Sequence, residues 1–210
     1  MILIKHSHKH LQLRELKKSK LLKCLMLPTY QLVLHGVYHW VAFANDVFGT
    51  DEASPRHPPL IRKLKDLLFT IAFPLGVYVS IAFWSVYAVD KELIFPEHVE
   101  KAYPPWINHP LHTFVSVFII LEMLTSNVTY PRRTVGLAMI NIFMFSYLGF
   151  LFVVYGQTGE WVYPVLAYFN WPLRIIFCFG SIVIGHLFYF VGESLNIKLN
   201  PKVKSNKKSR

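Results

Sequence analysis

The chain alternates long apolar runs with short polar and charged segments. A bilayer core about 30 Å thick is crossed by a helix of roughly 20 apolar residues. Five runs reach that length, at 24–44, 67–89, 109–127, 134–155 and 173–191. The pattern predicts an all-α, multi-pass transmembrane helical bundle with five membrane helices. We expect a basic N-terminal tail at 1–23, a transmembrane helical domain at 24–196 and a basic C-terminal tail at 197–210.

The composition is that of a membrane protein, and its positive charge is concentrated in the two tails. Of the 210 residues, 53% are hydrophobic and only 16% are charged, which is not the balance of a soluble globular domain. The 22 Lys and Arg residues outnumber the 12 acidic residues, and the tails contain most of the excess, with seven before residue 24 and six after residue 197. This placement favours anionic lipid headgroups over a nucleic acid as the partner. The sequence does not indicate an oligomeric state.

The distribution of Lys and Arg between the loops predicts the orientation of the bundle. Five spans put 12 basic residues on the side of the C-terminus and nine on the other side, or two if the N-terminal tail is set aside. We therefore expect a cytosolic C-terminus. Lys207 and Lys208 stand fourth and third from the end, the pattern of a dilysine retrieval signal for the endoplasmic reticulum. A generic basic tail beside the membrane is the alternative.

Two polar side chains near one membrane surface could carry chemistry. Thr29 lies close to the start of the first apolar run and His112 close to the start of the third, and these two runs enter the membrane from the same face. At 1.5 Å per residue, both side chains lie within about 10 Å of that surface. A neutral imidazole is the usual base that activates a hydroxyl nucleophile. Thr29 and His112 are thus a candidate acyl-transfer pair, although a membrane threonine more often bonds to its own helix backbone.

A metal or haem site is the rival interpretation of the histidines. His109 and His112 are three apart, and His35 and His39 are one turn apart on the first predicted helix. Four imidazoles could surround an ion or a haem iron. However, His35 and His39 lie about 9 and 15 Å deeper than Thr29 along the helix. The other interpretation is that they pack in the bundle and bond to neighbouring carbonyls.

Other polar groups within the apolar runs predict structural contacts. Glu122 lies about three turns beyond His112, too far to orient it directly, so we expect a buried acid that pairs with Asn141 or His186. Ser116 shares a helix face with His112 and could hydrogen-bond to it or to its carbonyl.

Several short motifs resemble the androgen-induced gene 1 family and recur in order across 24–196. They are 65–70 (KDLLFT), 72–74 (AFP), Asn108-His109 with His112-Thr113, Tyr130-Pro131, 158–159 with 161–164, and 192–193 with 195–196. The resemblance implies a multi-pass membrane hydrolase that cleaves fatty acid esters of hydroxy fatty acids with a threonine and a histidine, without a cofactor. It also implies one further helix before the first span, for a total of six.

The resemblance assigns the catalytic histidine to His112, the second histidine of the Asn-His-x-x-His-Thr motif. A gap-free alignment through 33–46 puts the family's threonine on Pro28, one residue before Thr29. One residue is about 100° around a helix. Either the chain adjusts at Pro28, which suits the first turn of a helix, or the nucleophile is displaced and activity is lost. We take Thr29 as the nucleophile. A haem or metal oxidoreductase and a non-enzymatic membrane regulator remain the alternatives.

Overall fold

The computed structural model describes residues 30–53, 55–101 and 103–200, and these parts of the chain contain helices and no strand. Five long helices follow one another: α1 (30–48), α2 (Leu60–Val89), α3 (Pro105–Thr125), α4 (Arg133–Thr158) and α5 (Trp171–Leu199). Short helical turns at Lys91–Leu93, Glu97–Glu100 and Pro164–Tyr168 lie in the connections.

The helices α2 to α5 are long and apolar enough to cross a membrane, which makes the chain a multi-pass membrane protein. The predicted all-α membrane bundle is confirmed. The first predicted span, 24–44, lies partly outside the described residues, and its described remainder is helical to residue 48. The predicted tail at 1–23 also lies outside them. Helix α5 continues to Leu199, three residues past the predicted end of the domain.

Helix α2 is the central element of the bundle. In the most apolar segment of α2, 61% is buried inside the protein, whereas the corresponding share is 28% in α3 and 22% in both α4 and α5. Phe69 and Phe73 of α2 pack in one cluster with Ile119, Ile140 and Tyr189 from the three surrounding helices. The outward faces of α4 and α5 expose large apolar side chains instead, as expected for helices whose solvent is lipid.

Local sequence fixes the ends of the outer helices. The Asn170 side chain accepts a hydrogen bond of 3.1 Å from the Leu173 backbone N–H and so caps the first turn of α5. Gly159 ends α4 in the left-handed region at φ 67°, the conformation for which glycine is favoured at this position. These two residues bound the connection between α4 and α5.

A buried ionic network joins α2 to α3 at one end of the bundle. Lys65 is fully buried, with its Nζ 2.9 Å from Glu122 Oε1. The Lys65 ammonium also donates to Ser126 Oγ at 3.2 Å. Arg62 is 1% exposed, and its Nε donates to Asp66 Oδ1 at 3.0 Å. Helix α2 therefore begins before the predicted start at residue 67, and its first turns contain charged residues.

The expectation that Glu122 pairs with Asn141 or His186 is wrong. A buried carboxylate is stabilised most by a cation, and the early start of α2 brings Lys65 to it. His186 instead places its Nδ1 2.8 Å from the Ile182 carbonyl one turn back on its own helix.

Candidate functional site

His112 lies in a π-helical turn, His109–Thr113, near the beginning of α3. Pro110 stands in this turn and has no N–H for a helical hydrogen bond. Trp84 of α2 donates its indole N–H to Thr113 Oγ1 at 3.1 Å, and His109 Nδ1 lies 3.2 Å from the same oxygen. The Trp84 contact ties the turn to α2. Single π turns inside helices occur frequently at functional sites.

The imidazole of His112 stacks face to face on the Phe83 ring. Their centroids are 3.7 Å apart and their planes differ by 2°. His112 is 5% exposed, and its Nδ1 is buried without a hydrogen-bond partner among the described residues. Aromatic packing on α2, rather than a carboxylate, therefore fixes the orientation of this ring.

The His112 side chain lines a cavity of about 160 Å³ inside the membrane part of the bundle. Its walls come from all five long helices and from the connections between α2 and α3 and between α4 and α5, and they are mainly aliphatic and aromatic. No Asp, Glu, Lys or Arg of the described residues is part of this lining. An apolar pocket with few polar groups is suited to the hydrocarbon of a lipid.

A few polar side chains also line this cavity. Asn108 is 4% exposed and lies one turn before His112 on α3. Gln31 is 2% exposed and comes from the other side, near the start of α1. Farther along the wall, the hydroxyls of Tyr147 and Tyr163 lie 2.8 Å apart. The cavity thus combines one histidine, two amides and several hydroxyls with an apolar wall.

Thr29, the predicted nucleophile, lies outside the described residues, so the structure gives no distance between it and His112. Gln31, two positions after Thr29, lines the same cavity as His112. The buried positions of α1 recur at 31, 35, 38, 42 and 45, a helical spacing that puts one face of α1 against the bundle.

Gln31 was missing from the residues predicted from sequence. The available signal was its spacing of four from His35, which puts two polar side chains on one face of an apolar helix. Membrane helices seldom bury such groups without a contact or a function.

The rings of His39 and His186 contact carbonyls one turn back on their own helices. His39 Nδ1 lies 2.7 Å from the His35 carbonyl, which confirms the interpretation that this histidine bonds to a neighbouring carbonyl. Within the described residues, no group of three His, Cys, Asp or Glu side chains could hold a metal ion. Ser116, which could bond to His112 or to its carbonyl, instead donates to the Thr113 carbonyl at 2.8 Å.

Residues 4–197 match the family described as FAR-17a/AIG1-like protein. The chain belongs to this family. The androgen-induced gene 1 protein of Homo sapiens is 36% identical over 177 residues, which cover 81% of this chain and 74% of that protein. The androgen-dependent TFPI-regulating protein of Rattus norvegicus is 33% identical over 187 residues, 86% and 80% of the two chains.

A membrane protein of Schizosaccharomyces pombe is similar over a shorter stretch, with 26% identity across 132 residues, 61% of this chain and 58% of that one. No solved structure is significantly similar to this chain. The family resemblance predicted from the motifs is confirmed by these matches.

Proposed function

We propose that this protein is an intramembrane lipid-ester hydrolase that cleaves fatty acid esters of hydroxy fatty acids, with Thr29 as nucleophile and His112 as base. One observation carries the proposal: His112, the predicted base, lines an apolar cavity that also includes Gln31 from the start of α1. The cavity offers a hydrophobic site for an acyl chain and a titratable imidazole beside it. The substrate class follows from the family resemblance.

In the proposed reaction, His112 takes the proton from Thr29 Oγ as this oxygen attacks the ester carbonyl carbon. The tetrahedral intermediate collapses by breaking the bond to the alcohol oxygen, which takes the proton from His112 and leaves as the hydroxy fatty acid. His112 then deprotonates a water molecule that attacks the acyl-threonine ester. The fatty acid is released and Thr29 is regenerated. No cofactor enters this sequence.

The helical period of α1 sets a condition on this mechanism. On a regular helix, residues two apart point about 200° away from each other, so Thr29 and Gln31 would face opposite sides. The proposed role of Thr29 therefore requires the backbone to leave the regular helix before Tyr30.

The proposal is tested by labelling membranes with a hydroxyl-reactive fluorophosphonate probe and by measuring ester cleavage. We expect Thr29→Ala and His112→Ala to remove both signals and Thr29→Ser to keep them. His186→Ala is the matched control, because this histidine lies on α5 and is absent from the described cavity lining. Undiminished cleavage by His112→Ala would contradict the mechanism.

The alignment of Pro28 with the family's threonine favours a second candidate function, a membrane protein that binds lipid in the cavity without hydrolysing it. In that case the family's nucleophile position holds a side chain that cannot attack. Saturable binding of an intact lipid ester, with no cleavage by the wild-type protein, would select this alternative.

For localisation, we infer that the protein resides in the endoplasmic reticulum membrane through Lys207 and Lys208, two residues outside the described part of the chain. Replacing both lysines by serine is expected to move a tagged protein to later compartments of the secretory pathway. An unchanged distribution in microscopy would reject the signal.

A further inference from the structure

Two buried polar atoms, on residues that line the cavity, have no hydrogen-bond partner among the described residues. They are Gln31 Nε2 and His112 Nδ1. The imidazole nitrogen can be a donor or an acceptor, depending on the tautomer. The Gln31 amide nitrogen has two N–H groups and can only donate.

Leaving a buried donor unpaired costs free energy, and most such groups in folded proteins have a partner. The Gln31 side chain is 2% exposed, so solvent outside the bundle does not supply that partner. A ligand in the cavity can do so if it brings a hydrogen-bond acceptor. The wall has no Lys or Arg among the described residues to neutralise an anion. The fitting acceptor is therefore an uncharged one, such as an ester carbonyl, rather than a carboxylate.

We propose that the Gln31 side-chain amide donates a hydrogen bond to the carbonyl oxygen of the acyl ester bound in the cavity and stabilises the negative charge that develops there. This assignment rests on the proposed function and extends it, because that mechanism lacks a described oxyanion donor. Gln31 comes from α1 and His112 from α3, so the two side chains approach a shared ligand from different helices. The bound group is a neutral acyl ester whose chain lies along the apolar wall.

Asn108 is the competing donor. It is buried and lines the cavity, and no hydrogen bond of its side chain is among the described contacts. We assign the contact to Gln31 because its amide nitrogen is buried without a partner among the described residues. The two assignments differ in which substitution removes the hydrogen bond to the ligand.

The test uses Gln31→Met, which keeps the length of the side chain and removes the amide. In the folded protein the Nε2 atom has no described partner, so this substitution is expected to leave the thermal unfolding midpoint unchanged or higher. Ester cleavage is expected to lose roughly 10²- to 10³-fold in kcat with little change in KM. Gln157→Met is the control, because Gln157 is exposed near the end of α4.

A second measurement does not depend on turnover. A long-chain dialkyl ketone labelled with ¹³C at its carbonyl cannot be hydrolysed, and its infrared carbonyl stretch moves to lower wavenumber when it accepts a hydrogen bond. We expect this shift for the ketone bound to the purified wild-type protein and to Asn108→Leu, and its loss in Gln31→Met.

The outcomes separate the two proposals. Absence of saturable ketone binding, absence of the shift in the wild type, or its persistence in Gln31→Met would overturn the role of Gln31. A Gln31-dependent shift in a protein that cleaves no ester would reject the hydrolase and retain the carbonyl site.

Discussion

The Phe83 ring of α2 lies flat against the His112 imidazole of α3, with 3.7 Å between centroids and 2° between planes. Two neutral aromatic rings prefer an offset or edge-on arrangement to such a sandwich. A cationic imidazole over the face of a phenyl ring is favourable, because the ring face is electron-rich. In the proposed mechanism His112 is protonated only transiently, and the Phe83 face is a packing partner for both forms of the ring.

This stack leads to a prediction for Phe83→Leu. Removing the ring frees the imidazole to rotate, and we expect ester cleavage to fall by roughly ten- to hundredfold, since small displacements of a reacting group are costly. Phe83→Tyr keeps the ring face and is expected to retain most of the activity. Cleavage is measured in membranes with the amount of folded protein matched.

The control for Phe83→Leu is Phe95→Leu. Phe95 is buried in the same cluster as Phe83 and lines the cavity, but no ring contact to His112 is among the described contacts of Phe95. Equal losses in the two variants would assign the effect to general packing instead of the stack.

The threonine register gives a second prediction. If Thr29 is the nucleophile, the double variant Pro28→Thr with Thr29→Ala will remain inactive. Moving the hydroxyl by one residue turns it by about 100° around the helix axis, away from the direction that residue 29 faces. Fluorophosphonate labelling of membranes measures the outcome. Recovery of labelling in the double variant, relative to Thr29→Ala alone, would assign the nucleophile position to residue 28.

The fold could be predicted from the sequence because lipid imposes a simple length rule on apolar helices. That rule missed the true start of α2, where Arg62 and Lys65 are buried within the helix. Charged residues are expected outside a membrane helix, and only the folded chain reveals the carboxylates that pair with them. Apolar run length alone therefore underestimates a helix whose end is held by ion pairs.

The candidate site could be predicted only in part. His112 was identified because a histidine near a membrane surface is unusual and matches a family motif. Phe83 and Gln31 were not, since phenylalanine is common in apolar helices and a single glutamine has no specific pattern. Their roles depend on the contacts between α1, α2 and α3, which span a large separation in sequence.

The Lys65 and Glu122 pair gives a third prediction, for stability. Lys65→Met leaves the Glu122 carboxylate without its nearest cation in a mostly buried place, and we expect a loss of about 3–5 kcal/mol in unfolding free energy. Adding Glu122→Met is expected to recover part of that loss, because the unpaired charge is removed. Unfolding in mixed micelles, analysed as a double-mutant cycle, measures the coupling.

The control pair for this cycle is Lys101 and Glu97, whose charged atoms are 2.8 Å apart at the protein surface. Ion pairs exposed to water contribute little, so Lys101→Met is expected to leave stability unchanged. Additive effects of Lys65→Met and Glu122→Met would show that the buried pair is not coupled.

Gly192 gives a fourth prediction, for the packing of α5 on α2. A Cβ at this position would lie 2.5 Å from Tyr130 Oη and 2.6 Å from Phe73 Cδ1. Phe73 is 3% exposed and cannot move aside without disturbing the core, so Gly192→Ala is expected to cost about 1–3 kcal/mol of unfolding free energy. Gly180→Ala on the same helix is the matched control, because a Cβ there meets no atom within 4 Å among the described residues. We expect this control to gain about 0.5–1 kcal/mol from the better helix propensity of alanine. Equal responses of the two variants in detergent unfolding would mean that α5 does not depend on its close approach to α2.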